Sequence, residues 1–219
     1  MELLTALRTH RIVAIVRGAD ADASLRTVLT LAEEGIALVE VSLSGEDAPG
    51  VIRRARAELG PAAPLGAGTV LTARDAGTVA EAGADFVVTP AVCEGVTESK
   101  RLGLPVLAGV MTPTDIVAAQ RLGADGYKIF PAAQAGGPGF LKALRGPFPD
   151  APFVPVGGVD AELARTYLAH GATAVGVGSP LIGDAADGGS LDALRERARA
   201  FLDAVRPADA VRLAPDAGR

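Results

Sequence analysis

The sequence predicts an α/β chain folded as a (β/α)8 (TIM) barrel of eight parallel strands with a short N-terminal helix, and three observations carry that expectation. The first is a recurring ending, in which a helical stripe closes on glycine and an apolar strand follows at once, at Gly35, Gly60, Gly83, Gly103, Gly123, Gly146 and Gly171. Glycine takes the positive φ that ends a helix without steric cost. The second is the interval between these glycines, 25, 23, 20, 20, 23 and 25 residues, which is the length of one βα unit feeding a parallel sheet. The third is the count: seven such strands follow an initial one. Eight short, equal units favour closure into a barrel over an open sheet, and 219 residues sits at the short end of that fold's range.

Taken in order, Glu2 to Thr9 reads as a helix with Leu3, Leu4 and Leu7 on one face, running into the apolar strand Ile12–Val16, which Arg17-Gly18 ends. Asp20 and Asp22 are both potential caps for the next helix, whose Leu25, Val28, Leu29 and Ala32 recur at helical spacing before Gly35. The second strand is Ala37–Leu43, and the others are Leu65–Gly68, Phe86–Thr89, Pro105–Gly109, Gly126–Phe130, Phe153–Val156 and Ala174–Gly178. A closing helix spans about Leu191–Val205. From Arg206 onward Pro207 and Pro215 interrupt a stretch with few apolar residues, so residues 1–205 are assigned to a single barrel domain and 206–219 to a loosely attached tail.

Composition excludes several classes of function. With 49% hydrophobic and 21% charged residues the chain can bury a sizeable core, and its net charge of −5 with no Lys/Arg cluster argues against nucleic acid as a partner. The start, Met1-Glu2-Leu3-Leu4-Thr5, lacks a basic leader with an apolar run behind it, and no apolar stretch reaches the roughly 18 residues of a membrane span. A soluble, cytoplasmic protein with no membrane partner is expected. Cys93 is the single cysteine and His10 and His170 the only histidines, so neither an internal disulfide nor a histidine-rich metal site is expected.

The chemistry is expected around Asp125-Gly126-Tyr127-Lys128-Ile129-Phe130-Pro131. Lysine in the middle of an apolar strand is out of place on packing grounds, and Lys100, Lys128 and Lys142 are the only lysines among 21 Lys and Arg. Unlike arginine, lysine can lose its proton and attack a carbonyl. The other reading is a packed stem whose head snorkels to a strand edge. In the second strand, alternation sets Leu38, Glu40 and Ser42 on one face and Val39, Val41 and Leu43 on the other. The fully apolar set suits the helix layer, so Glu40 should point into the barrel. A buried amine and carboxylate can be a structural ion pair, or an iminium-forming lysine with a carboxylate that moves protons, the apparatus of a lysine-dependent aldolase. Glycine turns follow strand seven (Gly157-Gly158) and strand eight (Gly178-Ser179), where barrels frequently bind phosphate. They point to a phosphorylated substrate.

In this order and over nearly the whole chain, Val39-Glu40-Val41-Ser42-Leu43, Leu65-Gly66-Ala67-Gly68-Thr69-Val70-Leu71, Val88-Thr89-Pro90, Ala108-Gly109-Val110-Met111-Thr112-Pro113-Thr114, Tyr127-Lys128-Ile129-Phe130-Pro131, Val154-Pro155-Val156-Gly157-Gly158-Val159 and Gly176-Val177-Gly178-Ser179 resemble the 2-keto-3-deoxy-6-phosphogluconate (KDPG) aldolases, also described as 4-hydroxy-2-oxoglutarate (KHG) aldolases. The resemblance implies Lys128 as Schiff-base lysine and Glu40 as general acid/base. It also implies Thr69 against the keto-acid carboxylate, Pro90 and Phe130 lining the pocket, Gly157, Gly158, Gly178 and Ser179 around the phosphate, a homotrimer, and no cofactor or metal. Two positions depart from the family pattern. Ser44 stands where some members carry arginine, and Arg17 is expected to supply that charge near Thr69. Val156 stands where many carry threonine, and Val156-Gly157-Gly158 resembles the sister family acting on 6-phospho-2-keto-3-deoxygalactonate. The rival readings are an isomerase or synthase using Glu40 as a base without a covalent lysine, and a non-catalytic sugar-phosphate-binding barrel.

Overall fold

The computed structural model of the chain describes residues 2–207. Helix α1 (Leu3–His10) precedes β1 (Ile12–Val16), and then α2 (Ala21–Glu33), β2 (Val39–Ser42), α3 (Ala48–Leu59), β3 (Leu65–Gly68), α4 (Ala73–Ala82) and β4 (Phe86–Val88) follow. The second half continues with α5 (Glu94–Arg101), β5 (Val106–Val110), α6 (Pro113–Arg121), β6 (Gly126–Ile129), α7 (Gly137–Arg145), β7 (Phe153–Pro155), α8 (Ala161–Ala169) and β8 (Val175–Val177). Two short turns of helix, α9 (Ser179–Ile182) and the 3-10 turn Ala185–Asp187, lead to α10 (Leu191–Val205).

All strand pairs are parallel, each strand from β1 to β6 pairs with its successor, and β8 pairs with β1 through Ile12↔Val175 and Ala14↔Val177. The eight strands thus form the nearly closed barrel that the glycine rhythm predicts. Closure is thinnest between β7 and β8, which share the isolated bridge Val156↔Gly176 and a 2.9 Å bond from the Thr173 N–H to the Phe153 carbonyl.

Two apolar layers result from the alternation of strand side chains. Val39, Val41, Ala67, Val87, Ile129 and Val175 face the helices, while Val13, Ile15, Leu38, Phe86, Val88, Leu107, Val154 and Val156 fill the inside, with Leu3 and Leu7 of α1 packed among them. Glycines make room for the bulky members of the inner layer. A Cβ on Gly66 would overlap the Phe86 ring, and one on Gly176 would lie 2.5 Å from Val156 Cγ2. Side chain then fills the lower barrel, and reactive groups have space only toward the upper end of the strands.

Helix starts follow local chemistry. Asp20 is the cap of α2, accepting from the Ala23 N–H at 2.8 Å, whereas Asp22 lies within the first turn and pairs with Arg54. Thr72 with Asp75 and Thr112 with Asp115 form two capping boxes, each satisfying backbone donors reciprocally.

Several boundaries differ from the expectation. Gly146 keeps a right-handed φ of −54°, and Pro147, which lacks an N–H, ends that helix in place of a left-handed glycine. Phe130 lies past the end of β6 and is 45% exposed. Val156 and Gly178 fall just outside β7 and β8, Val156 keeping only the isolated bridge to Gly176 on the β8 side. The expected tail from residue 208 onward lies outside the described residues, among which no helix is long and apolar enough to cross a membrane.

Candidate active site

Lys128 sits in β6 with 6% exposure, flanked in register by Gly109 of β5 and Val154 of β7. Gly109 has no side chain because the Pro90 carbonyl occupies that space. Thr89 fixes this approach, donating to the Ala91 carbonyl at 2.7 Å and accepting from the Gly109 N–H at 3.3 Å. The Lys128 Nζ lies 5.4 Å from the centroid of the Phe130 ring, within cation–π range.

Glu40 points into the barrel from β2 and is 2% exposed. Its neighbours across the ladder are Gly66 and, two residues on, Gly68, whose missing Cβ leaves room for the Glu40 carboxylate. Burial holds the Glu40 carboxyl above its ordinary pKa, against the opposing charges of Lys128 and Arg17. Among the described residues no salt bridge joins Glu40 to Lys128, and neither side chain has a hydrogen bond. A contact ion pair is therefore absent, although the two charges influence one another.

Thr69 follows β3 with φ +61°, an unusual backbone for a β-branched residue. Its hydroxyl lies 2.9 Å from Ser42 Oγ, which in turn lies 2.8 Å from Ser44 Oγ.

A cavity of about 400 Å³ opens at the upper end of the barrel, beside the β7–β8 gap. Arg17, Phe130, Val156, Gly157, Gly158, Gly178 and Ser179 all line it, together with Ile15, Val159, Gly176, Pro180, Ile182 and Gly183. Gly157 and Gly158 have φ of +100° and +70°, conformations that favour glycine. Among the described residues the backbone N–H groups of Gly157, Gly158, Gly178 and Ser179 donate to no acceptor, and the Arg17 guanidinium has no salt bridge or hydrogen bond. Unpaired donors and an unpaired cation on one cavity suit an anion. The loop that carries Arg17 is fixed on both sides: the Glu46 N–H donates to the Gly18 carbonyl at 2.9 Å, and the Ala19 N–H donates to Asp187 at 2.6 Å.

Arg17 thus falls with the glycine turns, whereas the sequence reading grouped it with Thr69. Lys128, Glu40 and Thr69 are not on the wall of this cavity. Pro90 lines a neighbouring one of about 220 Å³, and Phe130 borders both. Ile15, Pro180, Ile182 and Gly183 were missed because apolar residues and glycines carry no chemical signal. Inward alternation along Ile12–Val16 could have indicated Ile15. Among the described residues no group of three or more His, Cys, Asp or Glu is placed to hold a metal ion.

The family model for KDPG and KHG aldolases matches residues 3–194. A 2-dehydro-3-deoxy-phosphogluconate aldolase of Haemophilus influenzae is 36% identical over 77% of this chain and 79% of its own length. Among solved structures, native KDPGal superposes with a TM-score of 0.84 at 32% identity, covering 92% of this chain and 96% of that one. A KDPG aldolase from Legionella pneumophila, with pyruvate captured as a covalent carbinolamine intermediate, gives 0.84 at 26% identity over 92% of this chain and 98% of that one.

Proposed function

The chain belongs to the KDPG and KHG aldolase family, and from that premise we propose that it is a class I aldolase, a lyase that cleaves 2-keto-3-deoxy-6-phosphogluconate to pyruvate and glyceraldehyde 3-phosphate, and that it also accepts 4-hydroxy-2-oxoglutarate. The Lys128 amine attacks the keto carbon. Glu40, whose carboxyl burial holds above its ordinary pKa, gives its proton to the departing hydroxyl, so that the carbinolamine loses water, an iminium forms and Glu40 is left as a carboxylate. The Glu40 carboxylate takes the proton from the hydroxyl on the carbon to be released, the carbon–carbon bond breaks, and its electron pair moves into the iminium to form an enamine. Protonation of the enamine carbon and hydrolysis of the iminium return pyruvate and free lysine.

The observation that carries this reading is a buried amine and a buried carboxylate in one barrel, neither held by a hydrogen bond among the described residues. Groups that serve only structure at such depth are paired. We assign the phosphate to the N–H groups of Gly157, Gly158, Gly178 and Ser179 and to Arg17, because all five residues line one cavity. Pro90 and Phe130 wall the path between this cavity and the amine, and Thr69 meets the carboxylate.

Borohydride reduction with pyruvate, read by intact mass and peptide mapping, tests the proposal. A lysine adduct on the peptide containing Lys128, lost in Lys128→Arg with the fold intact, is the expected result. No adduct in the wild type would leave an isomerase, a synthase or a non-catalytic sugar-phosphate binder. Val156 beside Gly157-Gly158 favours a second reading, cleavage of the 6-phosphogalactonate epimer. We further infer a cytoplasmic homotrimer acting without a metal or other cofactor. Sedimentation should give three chains per particle, and activity should survive exhaustive chelation.

A further inference from the structure

Three hydroxyls form a chain at the end of β2. Ser44 Oγ lies 2.8 Å from Ser42 Oγ, Ser42 Oγ lies 2.9 Å from Thr69 Oγ1, and the Ser44 N–H also donates to Ser42 Oγ at 3.4 Å. Ser44 is exposed, Thr69 is half-buried and Ser42 is wholly buried. The chain therefore links solvent to the mouth of the barrel through one buried oxygen.

The donor count restricts what this chain can do. A hydroxyl has one proton and two lone pairs. One Ser42 lone pair accepts from the Ser44 N–H, which leaves one lone pair and one proton for two hydroxyl neighbours. One neighbour must donate to Ser42 and the other must accept. The protons therefore run either Ser44 to Ser42 to Thr69, or the reverse. In the first direction Thr69 keeps its own proton for a group outside the chain. In the second Thr69 donates inward and presents only lone pairs. Ser42 is satisfied both ways, so reversal leaves no buried group unpaired. The Thr69 backbone, at φ +61°, is strained for a β-branched residue, and such strain persists where a side chain has a task.

We propose that Ser42 is a positioning residue, and that the Ser44–Ser42–Thr69 chain reverses to turn the Thr69 proton outward onto the carboxylate of the keto acid. This rests on the reading above that Thr69 meets that carboxylate. A carboxylate only accepts hydrogen bonds, so its arrival selects the outward direction. A keto amide, which presents donors as well, gains less from it.

The test measures half-saturation by pyruvate in borohydride trapping, and kcat with the phosphorylated substrate, for Ser42→Ala, Ser42→Thr, Ser44→Ala, Thr69→Ala and the Ser42→Ala/Thr69→Ala double variant. Loss of one oriented neutral hydrogen bond should raise half-saturation about fivefold in Ser42→Ala, with kcat at saturating substrate close to wild type. Ser42→Thr, which keeps the hydroxyl, should restore it. Ser44→Ala should stay within about twofold, because the Ser44 N–H and the Ser42 proton remain. The double variant should be no weaker than Thr69→Ala alone. The proposal is overturned if Ser42→Ala binds pyruvate like wild type, or if its penalty persists in the Thr69→Ala background. If Thr69→Ala itself leaves half-saturation unchanged, the assignment of the carboxylate to Thr69 fails, and this inference with it. Circular dichroism melts check that each variant is folded.

Discussion

Glu40→Gln distinguishes a proton-moving carboxylate from half of an ion pair, and it does so through stability as well as rate. Burial raises the Glu40 pKa above its ordinary 4.5, and the charges of Lys128 and Arg17 do not cancel that effect. The native state then holds the Glu40 proton more tightly than the unfolded chain does. Below pH 4.5 both states are protonated and the contribution to stability is complete. As pH rises from there to the folded-state pKa, the unfolded chain ionises first, and native stability falls by up to about 1.4 kcal/mol per pH unit. Above the folded-state pKa the loss is constant. Glutamine has no proton to lose, and burying its neutral amide costs less than burying a charge. The difference in melting temperature, variant minus wild type, should be near zero at pH 4 and grow positive by up to about 3–6 °C per pH unit before levelling off. Far-UV circular dichroism melts from pH 4 to 9 suit a chain with no tryptophan and two tyrosines. Turnover should drop by about 10²–10⁴-fold. A variant that melts several degrees below wild type at pH 8 and keeps its activity would refute this reasoning, since that is the behaviour of a structural ion pair with Lys128.

Three further outcomes are expected. Gly178 has φ −98° with ψ −115°, a backbone that a β-branched residue disfavours, although a Cβ there comes no closer than 3.9 Å to Ile15, so Gly178→Val should lose some stability and raise the KM of phosphorylated substrates at least tenfold more than that of pyruvate; equal losses would make this turn structural. Val156 is an apolar wall that cannot read a hydroxyl, so the gluconate and galactonate epimers should differ in kcat/KM by no more than about 10²-fold, and Val156→Thr should widen the gap. A wild-type ratio above about 10³ would assign the discrimination to another side chain. Tyr167 is fully buried with an unpartnered hydroxyl, so Tyr167→Phe should leave the melting temperature unchanged or higher, whereas a fall of several degrees would reveal an internal partner.

The rhythm of the barrel was legible because glycine ends a helix for a stereochemical reason that sequence displays, and six of the seven glycines that set it do take positive φ. The exception, Gly146, is followed by a proline that performs the same task by other means. Lys128 and Glu40 stood out because their residue types conflict with apolar strands. What sequence could not show was adjacency. Arg17 was visible as the charge that ends β1, but only the closing of β8 against β1 sets it beside Gly178, more than 160 residues away. The Ser42–Thr69 contact likewise depends on the β2–β3 register. Ile15 and Pro180 left no trace because lining a cavity requires only shape.

The thin seam between β7 and β8 has a consequence for how the barrel breathes. Strand β8 is held chiefly by β1, from the far end of the chain, so local opening should begin where Val156↔Gly176 and the Thr173 N–H to Phe153 bond are the main ties. A phosphate seated on Gly157-Gly158 from one edge and Gly178-Ser179 from the other would span that seam as a staple. It would stabilise the closed form by about 2.7 kcal/mol at a hundred times its dissociation constant. Amide hydrogen exchange at Thr173, whose N–H donates to the Phe153 carbonyl across the seam, should then slow selectively when inorganic phosphate is added. The ligand that the barrel binds would be, in this respect, the last piece of its hydrogen-bonded wall.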